Sequence, residues 1–147
     1  MKSILFAAAA ACVLSGPAFA APADPALAPF TQFVDSMNKG DARTAAGTYA
    51  TAPTIIDEFG PHIWNSFAGW NKDLGGDFKT NAVTDFHIAA SPASFKKIDA
   101  TTGYGVFPTT LTYKVKGNAI VEKGLFTVST AKSATGWQIT GWAWSTL

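Results

Sequence analysis

The sequence is short of several things, and each shortage closes a class of function. It holds one cysteine and two histidines in 147 residues, too few to build a thiolate metal cage. Charged residues make up only 14%, with 11 Lys+Arg against 10 Asp+Glu and no basic cluster beyond Lys96-Lys97. The electrostatic footprint of a nucleic-acid binder is therefore missing. No apolar run reaches the roughly 20 residues that cross a bilayer. There is no Gly-x-Ser-x-Gly turn to carry a serine nucleophile. No internal repeat or low-complexity tract interrupts a composition that is 48% hydrophobic, which excludes disorder as the main state.

What is present begins with an address. Met1-Lys2 gives a positive start, Ile4 to Leu14 is an apolar run, and Ala18-Phe19-Ala20 places small residues where a signal peptidase reads them. Residues 1–20 read as a cleaved secretory signal, with export to the periplasm or beyond. A lipoprotein reading through Cys12 is the weaker alternative. Cleavage before Ala21 removes Cys12 and Lys2, leaving a neutral, cysteine-free chain in an oxidising compartment with no disulfide to hold it. Residues 21–28 form a proline-interrupted leader, and 29–147 suffice for one domain.

Pro29 suits a first helical turn, and Phe30, Phe33, Val34 and Met37 recur on one helical face. Gly40 stops this helix. Asp41 caps a second, faced by Ala42, Ala45, Ala46 and Tyr49 and ended by Pro53. Thr54 to Phe59 reads as a short strand closed by Gly60-Pro61. Ser66 caps a third helix faced by Phe67, Trp70 and Leu74, which Gly75-Gly76 should end. Beyond it the period falls to two, and strands are expected over 84–90, 94–99, 104–116, 119–131 and 137–146. Gly117-Asn118 marks a tight hairpin, and such short turns require antiparallel neighbours. Helices first and a meander after is an α+β pattern.

Phe33-Val34-Asp35-Ser36-Met37-Asn38-Lys39-Gly40-Asp41, then Tyr49-Ala50, then Ile55-Ile56-Asp57-Glu58-Phe59-Gly60, together resemble the NTF2-like superfamily. Within it, the SnoaL-like and ketosteroid-isomerase-like branches are nearest. The resemblance spans about residues 25 to 146. It implies a cone in which a curved antiparallel sheet wraps three helices around a pocket open at one end, with homodimers formed through the outer sheet face. The scaffold hosts isomerases, cyclases, dehydratases and silent binders, so it does not choose an activity.

The resemblance puts Asp57 at the general-base position of the isomerase branch. A carboxylate takes a proton beside a carbonyl when an apolar pocket lifts its pKa; otherwise Asp57 is an ordinary strand-end acid. Glu58, by strand alternation, should face the other way. The two oxyanion donors of that branch fall on Phe33 and Thr127, and Phe33 can donate nothing, a loss worth about 100- to 1,000-fold in rate. His62, five residues after Asp57, either forms a dyad with it or is a surface-loop histidine. His87 reads as a core or edge histidine, and no metal site or cofactor is expected.

Trp142 and Trp144 share one face of the last strand, looking into the cone, with Trp137, Ile139 and Ala143 on the other. Phe67 and Trp70 should meet that inner face, with Trp64 near the rim. These rings either line a ligand cavity or fill a core. Trp137, Phe126 and Val128 are expected to face outward and to be covered in a dimer. Three functions remain. The first is a periplasmic binder of a small apolar or aromatic molecule using Phe33, Trp64, Phe67, Trp70, Thr127, Trp142 and Trp144. The second is an acid–base enzyme using Asp57 and His62. The third is a dimeric interaction module with a filled pocket. A cavity of roughly 300 Å³ at Asp57 would keep the first two.

Overall fold

A computed structural model describes residues 24–147. The expected signal segment, with its cleavage site and Cys12, lies outside the described residues. The chain runs through helices α1 (Ala28–Asn38) and α2 (Ala42–Ala46), strands β1 (Tyr49–Ile56) and β2 (Ile63–Trp64), and helix α3 (Phe67–Asn81). Strands β3 (Val83–Ala90), β4 (Phe95–Ile98), β5 (Thr102–Val115), β6 (Asn118–Ser133) and β7 (Gly136–Thr146) follow.

Local chemistry accounts for the helices. Pro29 stands in the first turn of α1, and Phe30, Phe33 and Val34 turn the three-and-four spacing into one buried face. Asp41 caps α2 by accepting the Thr44 amide at 3.0 Å, and Ser66 caps α3 by accepting the Gly69 amide at 3.2 Å. Gly75-Gly76 does not end α3, which runs on to Asn81 and closes on Ala82 in the left-handed region. Each internal glycine costs about 1 kcal/mol against alanine. The apolar face nevertheless continues from Phe67, Trp70 and Leu74 to Phe78, and burial of that face prevails.

The strands form one seven-stranded sheet in the order β2-β1-β7-β6-β5-β3, with β4 also on β5. The sheet is mixed, because β1 returns alongside β7 in parallel while the other pairs are antiparallel. The β5–β6 hairpin turns on Lys116 and Gly117, both at positive φ (50° and 83°), one residue before the expected Gly117-Asn118, because Asn118 already pairs with Val115; it is the two-residue geometry that matches strand twist. Tyr49 opens β1 rather than extending α2, and Pro53 lies within that strand. Pairing with β7 jumps there from Tyr49↔Ile139 to Thr54↔Gly141, an irregularity that spares proline a ladder bond.

Alternation along β5, β6 and β7 sorts the sheet faces. Phe107, Phe126 and Trp144 line up on the inner face, as do Gly105, Val128 and Trp142. A bulge breaks the register between Ser129↔Gly141 and Thr130↔Ile139. One extra residue flips the phase, so Ile139 joins Trp142 inside and is fully buried. Trp137, two residues earlier, follows Ile139 to the inner side. The expectation of Trp137, Phe126 and Val128 as outward residues is thus reversed.

Against this face α1 and α3 seat a cluster of rings. Phe33, with no exposure, lies 5.7–6.5 Å from six ring centroids, those of Phe30, Tyr49, Phe67, Trp70, Phe126 and Trp142. Burial of each such side chain stabilises by about 1.5–3 kcal/mol. At the sheet edge, Asn38 of α1 donates Nδ2–H to the Ile88 carbonyl and accepts the Ile88 amide, both at 2.8 Å. Among the described residues no helix is long and apolar enough to cross a membrane.

Candidate functional site

Strand β1 ends at Ile56, and the chain reverses over 57–62 into β2, closed by the Asp57 amide donating to the His62 carbonyl at 3.1 Å. Asp57 therefore leaves the ladder at the mouth of the cone, under α3. Its Oδ2 accepts the Trp70 indole N–H at 2.9 Å and its Oδ1 accepts the Glu58 amide at 2.8 Å. Burial pushes its carboxyl above the usual carboxylate range. The two hydrogen bonds pull the other way, and the charges of Glu58 and Glu122 add to the rise.

Asp57 borders a cavity of about 180 Å³ that opens to solvent. Six rings wall it, from Phe59, Phe78, Phe86, Tyr113, Phe126 and Trp144, with Leu74, Val83 and Leu111 between them. Four carboxylates stand in the same lining, Asp57, Glu58, Asp77 and Glu122, and no lysine, arginine or histidine does. Glu122 is held by neutral donors: the Tyr113 hydroxyl at 2.9 Å, the Trp144 indole at 3.4 Å and the Thr146 hydroxyl at 2.6 Å. Burial, and then the Glu122 carboxylate that accepts its proton, push the Tyr113 hydroxyl up to about 12.

The ring and donor residues expected from sequence, with Asp57, divide into four groups. Asp57 and Trp144 line the cavity, and Trp70 touches it through Asp57. Phe33, Phe67 and Trp142 lie in the packed interior instead, Trp142 donating to the Tyr49 hydroxyl at 2.6 Å. Trp64 stands behind the wall, donating to Asp73 at 2.9 Å and packed on Phe59 at 4.8 Å. Thr127 is outside the cone: it pairs with Val106 and Ala143 and alternates with buried Phe126 and Val128. Neither position of the isomerase donor pair therefore presents a hydrogen bond to the cavity.

His62 is exposed, and its Nδ1 lies 3.2 Å from the Asp57 carbonyl oxygen, not from the carboxylate. The dyad does not form. Glu58 corrects the alternation argument, because β1 has already ended and both acids reach the same cavity. His87 is an exposed strand residue. Among the described residues no cluster of His, Cys, Asp and Glu could hold a metal.

Sequence reasoning missed Glu122, Tyr113, Asp77 and Phe78. The first lies four residues before Phe126 on the same face, so correct phasing of β6 exposes it. The last two follow from running the α3 period through Gly75-Gly76. The cavity is smaller than the expected 300 Å³ because the rings around Phe33 fill the rest of the cone.

A larger groove of about 630 Å³ lies between α1 and the β3–β4 connection, floored by Phe30, Val34, Ile88 and Phe107. Its titratable members are Asp24, Asp35, His87 and Lys96; the last three are exposed, and half-buried Asp24 is paired with Lys96 at 3.4 Å. Asp57 and the polar handles cluster at the smaller cavity.

No known protein family matches the chain in a scan of its sequence, and no curated protein does. Solved structures do. An NTF2-like superfamily protein from Salmonella enterica serovar Typhimurium superposes with a TM-score of 0.68 at 14% identity, covering 81% of this chain and 86% of that one. Hexachlorocyclohexane dehydrochlorinase LinA-type3 from Novosphingobium barchaimii gives 0.70 at 12%, covering 80% and 81%. A ketosteroid isomerase-like protein from Erwinia carotovora atroseptica gives 0.62 at 18%, covering 84% and 94%. At such identities the likeness speaks of architecture alone, and with the helix-wrapping sheet described above it establishes that this chain has the NTF2-like fold.

Proposed function

We propose that the chain is an exported NTF2-like binder of a small ring-containing molecule, held in the cavity beside Asp57. The observation that carries this reading is the wall of six rings around an open space at the cone mouth, the composition expected of a site that grips by apolar contact and orients by few polar groups. Titration with benzyl alcohol, followed by the indole N–H resonance of Trp144 and the backbone amides of Phe78, Tyr113 and Phe126, tests it. Shifts confined to these residues support the site. Shifts confined to α1 and β3 would move the site to the larger groove and overturn the assignment.

A second reading rests on Asp57 itself. A half-buried carboxylate facing an apolar cavity is placed to accept a proton, which would make the chain an acid–base enzyme of isomerase, cyclase or dehydratase type. His62 would take no part through the carboxylate. Ring opening of 5-nitrobenzisoxazole, which needs only a base to take its carbon-bound proton, should then be accelerated by the native chain and lost in Asp57→Asn. Acceleration that survives the substitution would assign the base elsewhere.

The dimer is retained as a proposal on different residues. The outer sheet face presents Val106, Pro108, Leu125 and Ala143 among threonines and serines, and closure of that face by a second copy would cover them. Sedimentation at micromolar concentration should show a dimer; a monomer would reject it. Export is tested by the mature N-terminus, expected at Ala21.

A further inference from the structure

We infer that the ligand of this cavity is cationic, an organic ammonium rather than a neutral or acidic molecule. The inference rests on the cavity being the ligand site and adds the sign of the ligand's charge. Two features of the lining set that sign. The ring faces of Phe, Tyr and Trp carry negative potential, so an enclosure of six rings attracts a cation once it is partly desolvated. Around those rings, Asp57, Glu58, Asp77 and Glu122 contribute only negative charge.

The carboxylates are also uncompensated. Among the described residues the ion pairs are Lys96–Asp24 and Lys114–Asp85, and neither reaches the cavity. The four acids are instead held by neutral donors. Trp70 and the Glu58 amide hold Asp57. The Thr146 amide and hydroxyl hold Glu58, each at 2.6 Å. Asn81 holds Asp77 at 2.9 Å, and Tyr113, Trp144 and Thr146 hold Glu122. These bonds fix the oxygens without cancelling their charge. The formal charge of the whole chain is only +1, so the negative field is a local property of the mouth and not a consequence of composition. The Thr146 hydroxyl lies 2.6 Å from both Glu58 and Glu122 but has one proton to donate, so one of the two carboxylates goes without that donor.

Three probes of one size separate the alternatives: benzylamine, a cation at neutral pH, benzyl alcohol and benzoate. Calorimetric titration of the purified chain at low salt should rank them in that order. The cation should bind about tenfold or more tighter than the alcohol, the scale of a desolvated cation–ring contact reinforced by carboxylates. Raising NaCl to 0.5 M should narrow that ratio. Glu122→Gln, and independently Asp77→Asn, should weaken benzylamine by roughly threefold to tenfold, a larger factor than either weakens benzyl alcohol. The second variant sits on the helix, away from the Tyr113–Trp144–Thr146 network, so a folding defect in the first does not void the test. Benzyl alcohol binding as tightly as benzylamine overturns the charge assignment while sparing the site. Benzylamine binding unchanged in both variants overturns it by placing the cation elsewhere. Failure of all three probes to bind overturns the assignment together with the ligand site itself.

Discussion

The two ends of the cone interior are built from the same kind of side chain and do different things. At the closed end Phe33, Phe67 and Trp142 are buried within the ring cluster, and the polar handle of Trp142 is consumed internally by Tyr49. At the open end Phe78, Phe86 and Tyr113 are half-buried and border the cavity together with Trp144, whose handle goes to a carboxylate of the lining. Aromatic content therefore does not mark a site. Whether the chain supplies a packing partner across from each ring does, together with where its N–H or O–H is spent.

This contrast can be broken by mutation. The largest effect should come from Phe33→Ala, which empties a space closed on all sides and should cost about 3–5 kcal/mol in chemical denaturation. Gly124→Ala should follow. A Cβ there would stand 2.5 Å from the Trp144 ring and meet the Ser145 carbonyl, an overpacking cost of about 1–3 kcal/mol, accompanied by a changed indole environment in fluorescence. Phe78→Ala, at the half-buried rim, should cost under about 1.5 kcal/mol. Equal losses for Phe33→Ala and Phe78→Ala would erase the distinction between a filled end and a hollow one.

The smallest effect should carry the most informative sign. Burial holds the Asp57 carboxyl above its ordinary range, so the folded chain holds that proton more tightly than the unfolded chain does. Its contribution is therefore most favourable below about pH 4 and declines as pH rises through the raised folded value. Asp57→Asn removes the decline. Its melting temperature should match the native chain near pH 3.5 and exceed it at pH 7. A variant less stable than native at pH 7 would mean that the ionised carboxylate is the form the fold favours.

Where period and chemistry agreed, the sequence could be read directly: the α1 face through Phe30, Phe33 and Val34, the Ser66 and Asp41 caps, and the β5–β6 hairpin. Asp57 at the cavity was legible too, through the resemblance more than through its own surroundings. The inner face was not, because one bulge residue in β7 shifts the phase of Ile139 and Trp137, and no run of residue types announces such an insertion. Gly141, whose Cβ would lie 2.6 Å from the Thr54 carbonyl oxygen, reports the close approach of β1 to β7 and not the bulge. Assigning Phe126 outward hid Glu122 and Tyr113. Reading Gly75-Gly76 as a stop hid Asp77 and Phe78, because burial of a helix face outweighs two glycines and propensity alone cannot show that.

The Asn38 side chain also occupies the edge of the sheet. By engaging both polar groups of Ile88 it imitates the strand that would otherwise dock beside β3, so a stray chain finds that rung already taken. Exchanging Asn38 for leucine would uncover it, and the expected penalty is ribbon-like polymerisation on concentration rather than a lower melting point.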